Sequence, residues 1–306
     1  MRRYIATRVL LVPVTLALLS IVIFGVLRIL PGDVAYNIMA GREGGTSFTQ
    51  KQLDDIRVSL GLNRPLAVQY FSWIGGLLTL NPGKSLFDRT PIRSEMAKRL
   101  PITIELAVLT ILVSVMLGIP LGILMAARQN SVADYALRII SIGGIAAPSF
   151  WTAAVLVLVL TREFHWFPPI GFVPIWKDPV ANLQQLIFPA LTLGYLFAAL
   201  TARMTRSTML EVLRQDYIRT AASKGLRGGT ILVRHALKNA LLPVITIVGN
   251  QFGLLLGGVV VMEVIFAVPG MGRGLVNGVM NRDYPIVQDF VLLLGLWVMA
   301  DAIMPP

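Results

Sequence analysis

Long apolar runs alternate with polar stretches along the whole chain. The runs fall at 9–30, 101–127, 139–160, 186–202, 241–266 and 286–304. Each is close to the roughly 20 residues that an α-helix needs to cross a bilayer. One long polar stretch, 34–100, mixes both signs of charge and contains Gly-Leu-Asn-Arg-Pro-Leu at 61–66, a helix-ending turn, followed by amphipathic spacing at 69–80. The pattern predicts an all-α membrane protein of about six transmembrane helices, with a small helical domain after the first.

Several runs carry interruptions. The first follows a basic segment, is longer than a signal-peptide core and lacks a small-residue cleavage site after it, so it reads as an uncleaved helix that ends at Pro31-Gly32-Asp33. Arg28, near its outer end, can snorkel to the headgroups. The second run opens on Pro101, a residue suited to a first helical turn, with Glu105 close behind. Two readings fit Glu105: a charge complementing the helix N-terminus, or a group on a transport path. Gly118 and Gly122 form a small-xxx-small face for close helix packing. The third run is broken by Gly143-Gly144 and Pro148, a break that membranes tolerate where backbone is buried in protein or lines a cavity. In the fifth, Gly249, Gly253 and Gly257 recur every four residues. That face suits tight packing against a span or subunit, or a smooth wall of a path. Asn250 and Gln251 lie near mid-span and should face protein or a cavity, and Glu263 lies near the outer end.

Composition narrows the class. Charged residues make up 14% of the chain and the mean hydropathy is +0.72, against about 25% charged in soluble domains. The net charge of +11 does not point to nucleic acid, because Lys and Arg fall mostly in the loops. Without cysteine, neither a disulfide nor a thiol-ligated metal is available. His165 and His235 have no neighbours at metal-ligand or triad spacing, so no catalytic, cofactor or metal site is expected. The glycines of Val268-Pro269-Gly270-Met271-Gly272-Arg273-Gly274 do not make a nucleotide loop: no strand precedes them and no Lys-Ser/Thr follows.

The stretch at 216–243, DYIRTAASKGLRGGTILVRHALKNALLP, is basic and polar between two apolar runs. It cannot sit in lipid. A helical run ends in Ala221-Ala222-Ser223-Lys224, Gly225 suits the left-handed stop after it, Gly228-Gly229 turns the chain, and a second helical run starts at Thr230. From the residues alone this is either a short presented helix, whose small side chains admit another protein's surface, or an ordinary basic loop.

The stretch resembles the "EAA" coupling loop of ABC importer permeases. The run from Tyr217 to Leu226, followed by the run from His235 to Pro243, is similar to the dipeptide/oligopeptide branch. The longer spacer and Arg219 in place of glutamate depart from the general motif and match that branch. The runs at 60–70 and 263–274 resemble it too, whereas the C-terminal end at 301–306 departs from it, as a truncated or divergent tail would. The resemblance implies a type I ABC permease fold with an N-terminal helix (1–30), an extracytoplasmic helical domain (31–95) and a permease core (96–306) whose coupling loop is 203–240. It makes Arg219, Thr220, Ala221, Ala222, Ser223, Lys224 and Gly225 the ATPase-coupling residues. Glu105, Pro148, Asn250, Gln251, Gly253, Gly257 and Glu263 are candidates for the path or gate.

The implied partners are a second homologous permease, two ABC ATPase subunits that bind the ATP, an extracytoplasmic substrate-binding protein and the lipid bilayer. Alternating access would be driven by ATPase closure pushing on 221–225. The implied cargo is a dipeptide or oligopeptide, with nickel, glutathione or an oligosaccharide as alternatives. A secondary transporter would need paired inverted repeats and mid-bilayer charges, and neither is evident. Short segments at 1–8, 128–138 and 203–238 carry three, two and eight Lys or Arg, while 162–185 and 267–285 carry two each. The expected setting is a bacterial cytoplasmic (inner) membrane with the N-terminus and the coupling loop inside.

Overall fold

A computed structural model describes residues 2–29, 32–43, 48–169 and 171–303. The expected first-helix stop at Pro31 and the expected departure at 304–306 lie outside them. The described residues are helical and connected by turns, with one isolated bridge between Lys84 and Pro91. They form two compact units: residues up to Ile102 with those from Pro269 onward, and Thr103–Val268.

In the first unit, α1 (Arg2–Ile29) is apolar over most of Thr7–Ile29 and packs against α13 (Tyr284–Ile303). Gly295 makes this approach close: a Cβ there would lie 2.5 Å from Leu19. The helices α2 (Val34–Glu43) and α3 (Gln50–Ser59) enclose a small core of Ala35, Met39 and Leu53. Thr49 and Gln52 form a capping box at the start of α3. The turn expected at 61–66 is present, with Gly61 at φ +69°, and leads into α4 (Leu66–Leu78). α12 (Met271–Asn281) packs on α13 through Met271 and Phe290, which meet Ile92 at the start of α5.

α5 (Ile92–Ala127) begins well before Pro101, where the apolar pattern placed its start. Its first turns are polar, and Glu95 pairs with Arg99 (2.9 Å) and Lys98 (3.7 Å) along the helix. Glu105 therefore lies more than three turns into α5, too far from the N-terminus to complement it.

The second unit is built on α5, α8 (Pro179–Leu213) and α11 (Lys238–Ile265). α8 also starts earlier than its apolar run. Asp178 caps it, accepting from Val180 N (3.0 Å) and Ala181 N (3.1 Å), and Pro179 occupies the first turn. The polar Asn182 and Gln185 that read as loop are buried, fastening the preceding segment through Val173 O (2.9 Å) and Val173 N (3.1 Å). The break expected at Pro148 is present: α6 (Val132–Ala146) and α7 (Ser149–Phe164) meet at 100°. Gly144 lies against the Tyr195 ring, whose hydroxyl donates to Ile140 O at 2.6 Å, so the break is anchored to α8.

Four described helices are long and apolar enough to cross a membrane, and the α6–α7 pair makes a fifth if it is one broken span. The last of the six expected runs forms α13, apolar over Tyr284–Met299.

Candidate functional site

The polar end of the Thr103–Val268 unit gathers the 216–243 stretch. α8 runs straight through its basic extension to Leu213, turns at Gln215, and gives way to α9 (Asp216–Ser223). α9 stops as its sequence dictates. Gly225 has φ +78°, its N–H donates to Ala222 O (3.0 Å), and Leu226 N donates to Ala221 O (3.4 Å). These two bonds are those of a Schellman motif, which glycine closes without steric cost.

α9 is two-faced. Ile218 and Ala221 are buried with Ala126 of α5, Met209 and Val212 of α8, and Ile231, Ala236 and Ala240 beyond the turn. Arg219, Thr220, Ala222, Ser223, Lys224 and Gly225 are exposed. Ala221 thus faces the protein's own core, and the small exposed residues are Thr220, Ala222, Ser223 and Gly225. Asn239 Nδ2 donates to Tyr217 Oη at 2.7 Å, tying α9 to α11. After the short turn α10 (Gly228–Thr230), residues Ile231–Leu237 form a π-helical segment that runs on into α11. π segments are rare and often mark functional positions.

A charge cluster fixes the same end, and the sequence reading passed over it. Asp134 is fully buried in the first turn of α6. Arg206 of α8 grips it in a two-pronged fork at 2.9 and 2.9 Å, and Arg138 at 3.1 and 2.6 Å. Asn130 N completes the set at 3.0 Å. The Asp134–Arg138 half follows helical i,i+4 spacing and was legible in the sequence. The Arg206 half joins two distant segments and carried no local signal.

Toward mid-span, α5, α8 and α11 are seamed together. A Cβ on Gly118 would meet Thr201 Cβ at 2.7 Å, and one on Gly122 would meet Thr205 Cβ at 2.5 Å. Beside this seam Ser114 Oγ lies 3.0 Å from Thr201 Oγ1 and donates to Gln251 Oε1 at 3.1 Å, while Gln251 Nε2 donates to Thr201 Oγ1 at 3.1 Å. All three residues are buried. Gln251 therefore joins the three helices. Its neighbour Asn250 is exposed and, with Leu200, Arg203, Met204, Ile247 and Leu254, lines an open cleft of about 520 Å³.

Gly249 and Gly257 are exposed with nothing within 4 Å of an added Cβ, and Gly253 is half-buried between them. Gly258, around the helix, lies against Leu193 of α8. Glu263 is buried at the far end of α11, accepting from Thr103 Oγ1 at 2.6 Å. Glu105 lies beside Asn182, and its Oε1 is buried without a hydrogen-bond partner among the described residues. Pro148 is exposed at the N-cap of α7. The candidates are thus spread over the unit: the coupling residues at its polar end, Asn250 on the cleft, and Gln251 and Glu263 inside helix contacts. His165 is exposed at the end of α7, as expected of a loop residue.

Residues 118–304 match the family described as binding-protein-dependent transport system inner membrane component, and residues 1–107 match the N-terminal family of such membrane components. The chain belongs to this family. It is 40% identical over 289 residues to a peptide transport system permease protein of Brucella suis biovar 1, covering 94% of this chain and 90% of that one. It is 40% identical over 297 residues to a peptide ABC transporter permease protein of Sinorhizobium fredii, covering 97% and 93%. A dipeptide transport system permease protein of Alkalihalophilus pseudofirmus is 36% identical over 307 residues, covering 94% and 90%. The resemblance carried by 60–70, 216–243 and 263–274 is therefore real and extends over nearly the whole chain. This inner membrane component is a multi-pass permease, and the apolar helices agree with that setting.

Proposed function

We propose that the chain is one permease subunit of an ATP-driven importer of dipeptides or short oligopeptides. The observation that carries the proposal is α9: a short helix fastened to the protein by Ile218 and Ala221, with a small, basic face turned outward. That face suits a docking contact with an ATPase subunit. The cluster of Met209, Val212, Ile231 and Ala240 ties α9 to α8 and α11, so a push on α9 moves the two helices that line the cleft. A ligand-driven change needs different interaction energy in two states, and closure of an ATPase dimer around ATP supplies it.

The remaining parts follow from the same reading. Two ATPase subunits bind and hydrolyse the ATP, and this chain contributes no catalytic group or cofactor. A second permease covers the bare Gly249–Gly253–Gly257 face and the cleft, and an extracytoplasmic binding protein delivers cargo. The N-terminus and α9 lie in the cytoplasm, where the short basic segments fall. Peptide cargo is preferred over nickel, glutathione or oligosaccharide because the relatives named above carry peptide or dipeptide transport in their names.

The test is mild-detergent purification of the tagged chain from its native membrane, mass spectrometry of its companions, and dipeptide uptake by proteoliposomes containing the recovered assembly. Two P-loop ATPases, a second permease and ATP-dependent uptake are expected. A chain that purifies alone, with uptake indifferent to ATP, would refute the proposal and favour a secondary transporter.

A further inference from the structure

The first unit contains a cleft of about 470 Å³ where α1, the α3–α4 turn, the segment after α4 and the start of α13 come together. Its wall carries Arg28, Arg64 and Lys84 and no Asp or Glu. No carboxylate among the described residues pairs with any of the three. A surface that concentrates cations without counter-charges attracts an anion.

Two buried donors make it more than a basic surface. Gln288, on the first turns of α13, is 2% exposed and its Nε2 has no hydrogen-bond partner among the described residues. Leaving a buried amide donor unmade is costly, so such groups mark a place for a ligand or water. Arg28 is half-buried and held in one orientation. Its Nη1 donates to Phe24 O (3.2 Å), its Nη2 donates to Gln69 Oε1 (3.1 Å), and the guanidinium lies over the Phe24 ring at 3.4 Å. Gln69 is itself fixed by donating to Leu62 O (3.1 Å) and Arg64 O (2.8 Å). Arg28 Nε is left buried with no hydrogen-bond partner among the described residues. A rigid guanidinium with an unused N–H suits a phosphate better than a flexible lysine does.

The position on α1 selects the source of that phosphate. α1 is the barest of the candidate spans, with Leu10, Leu18, Ile21 and Ile29 exposed along it, and Arg28 stands at the end of that apolar run. Acyl chains lying along α1 would bring a headgroup to the height of Arg28 and Tyr284. We propose that this cleft binds the phosphate headgroup of a membrane phospholipid, gripped by Arg28 and Gln288 with Arg64 and Lys84 at the rim. The bound lipid would staple α1 to α13 and to the helical segment that follows α1.

The experiment uses the full chain, delipidated in detergent and titrated in native mass spectrometry with dioleoyl phosphatidylglycerol, with dioleoylglycerol and with glycerol 3-phosphate. Phosphatidylglycerol should bind about tenfold or more tighter than either of the others. Arg28→Gln should weaken it by a similar factor, Arg28→Lys should weaken it less, and Gln288→Leu should weaken it several-fold with the cations intact. Gln288→Leu keeps the test decisive if Arg28→Gln does not fold. Equal binding of dioleoylglycerol would show that tails alone are held and would overturn the proposal. So would unchanged binding by Gln288→Leu, or by a folded Arg28→Gln. Glycerol 3-phosphate binding as tightly as the lipid would assign the cleft to a soluble anion instead.

Discussion

The contact between α5 and α8 makes a sharp prediction for Gly122→Ala. The added Cβ would stand 2.5 Å from Thr205 Cβ and 2.7 Å from the carbonyl oxygen of Ala202. Carbon atoms rest at about 3.5–4.0 Å, so the two helices must part by roughly 1 Å. The Ala202 carbonyl belongs to the backbone of α8 and cannot rotate away. The parting would also strain the 3.0–3.1 Å bonds among Ser114, Thr201 and Gln251 in the same seam. Overpacking against backbone that cannot yield falls in the upper part of the usual range, at about 2–3 kcal/mol. Alanine's better helix propensity returns at most about 1 kcal/mol. The net loss of about 1–2 kcal/mol corresponds to roughly 2–8 °C in Tm for a unit of this size. Gly257→Ala is the control, because nothing lies within 4 Å of its added Cβ, and it should hold or slightly raise the Tm of the isolated chain. The assay is tryptophan-monitored melting of both variants in one detergent. Melting of Gly122→Ala at the wild-type temperature, or above Gly257→Ala, would refute the close seam.

Three further outcomes follow from the polar end. Asp134→Asn leaves the Arg138 and Arg206 forks without their anion. Partial solvent access to both arginines limits the cost to about 2–3 kcal/mol, read as a lowered Tm. Ile218→Ala empties the core under α9 at a cost of about 2–4 kcal/mol, and should show as faster amide exchange across 216–226 with the outer face unaltered. Ala222→Glu, on the exposed face, should leave the Tm unchanged and abolish ATP-dependent uptake, whereas normal uptake would remove α9 from the coupling path.

Much of this was legible because it depends on local chemistry. Gly225 takes the left-handed cap that only glycine accepts freely, Pro148 breaks its span, and the basic run of α8 continues as helix past the apolar window. The early starts of α5 and α8 were hidden by polar residues. Glu95 and Arg99 satisfy one another on the helix surface, and Asn182 and Gln185 are buried against backbone, so polarity there does not mean loop. At 250–251 hydropathy gave two adjacent polar residues one description. The helix turns about 100° between them, so Gln251 binds the core while Asn250 faces the cleft. The Arg206–Asp134 fork and the inward turn of Ala221 depend on contacts between distant segments, and no single stretch announces them.

The central claim is that the outer face of α9 meets an ATPase subunit. The chain has no cysteine, so Ala222→Cys gives a single thiol at the middle of that face. Treating the membrane-embedded assembly with a short bifunctional thiol reagent, and identifying what joins this chain, tests the contact directly. The account predicts a crosslink to a P-loop ATPase that strengthens or weakens with ATP, and none from Arg162→Cys in the last turn of α7, on the expected extracytoplasmic side. An Ala222→Cys chain that transports normally yet captures no ATPase in either nucleotide state would contradict it.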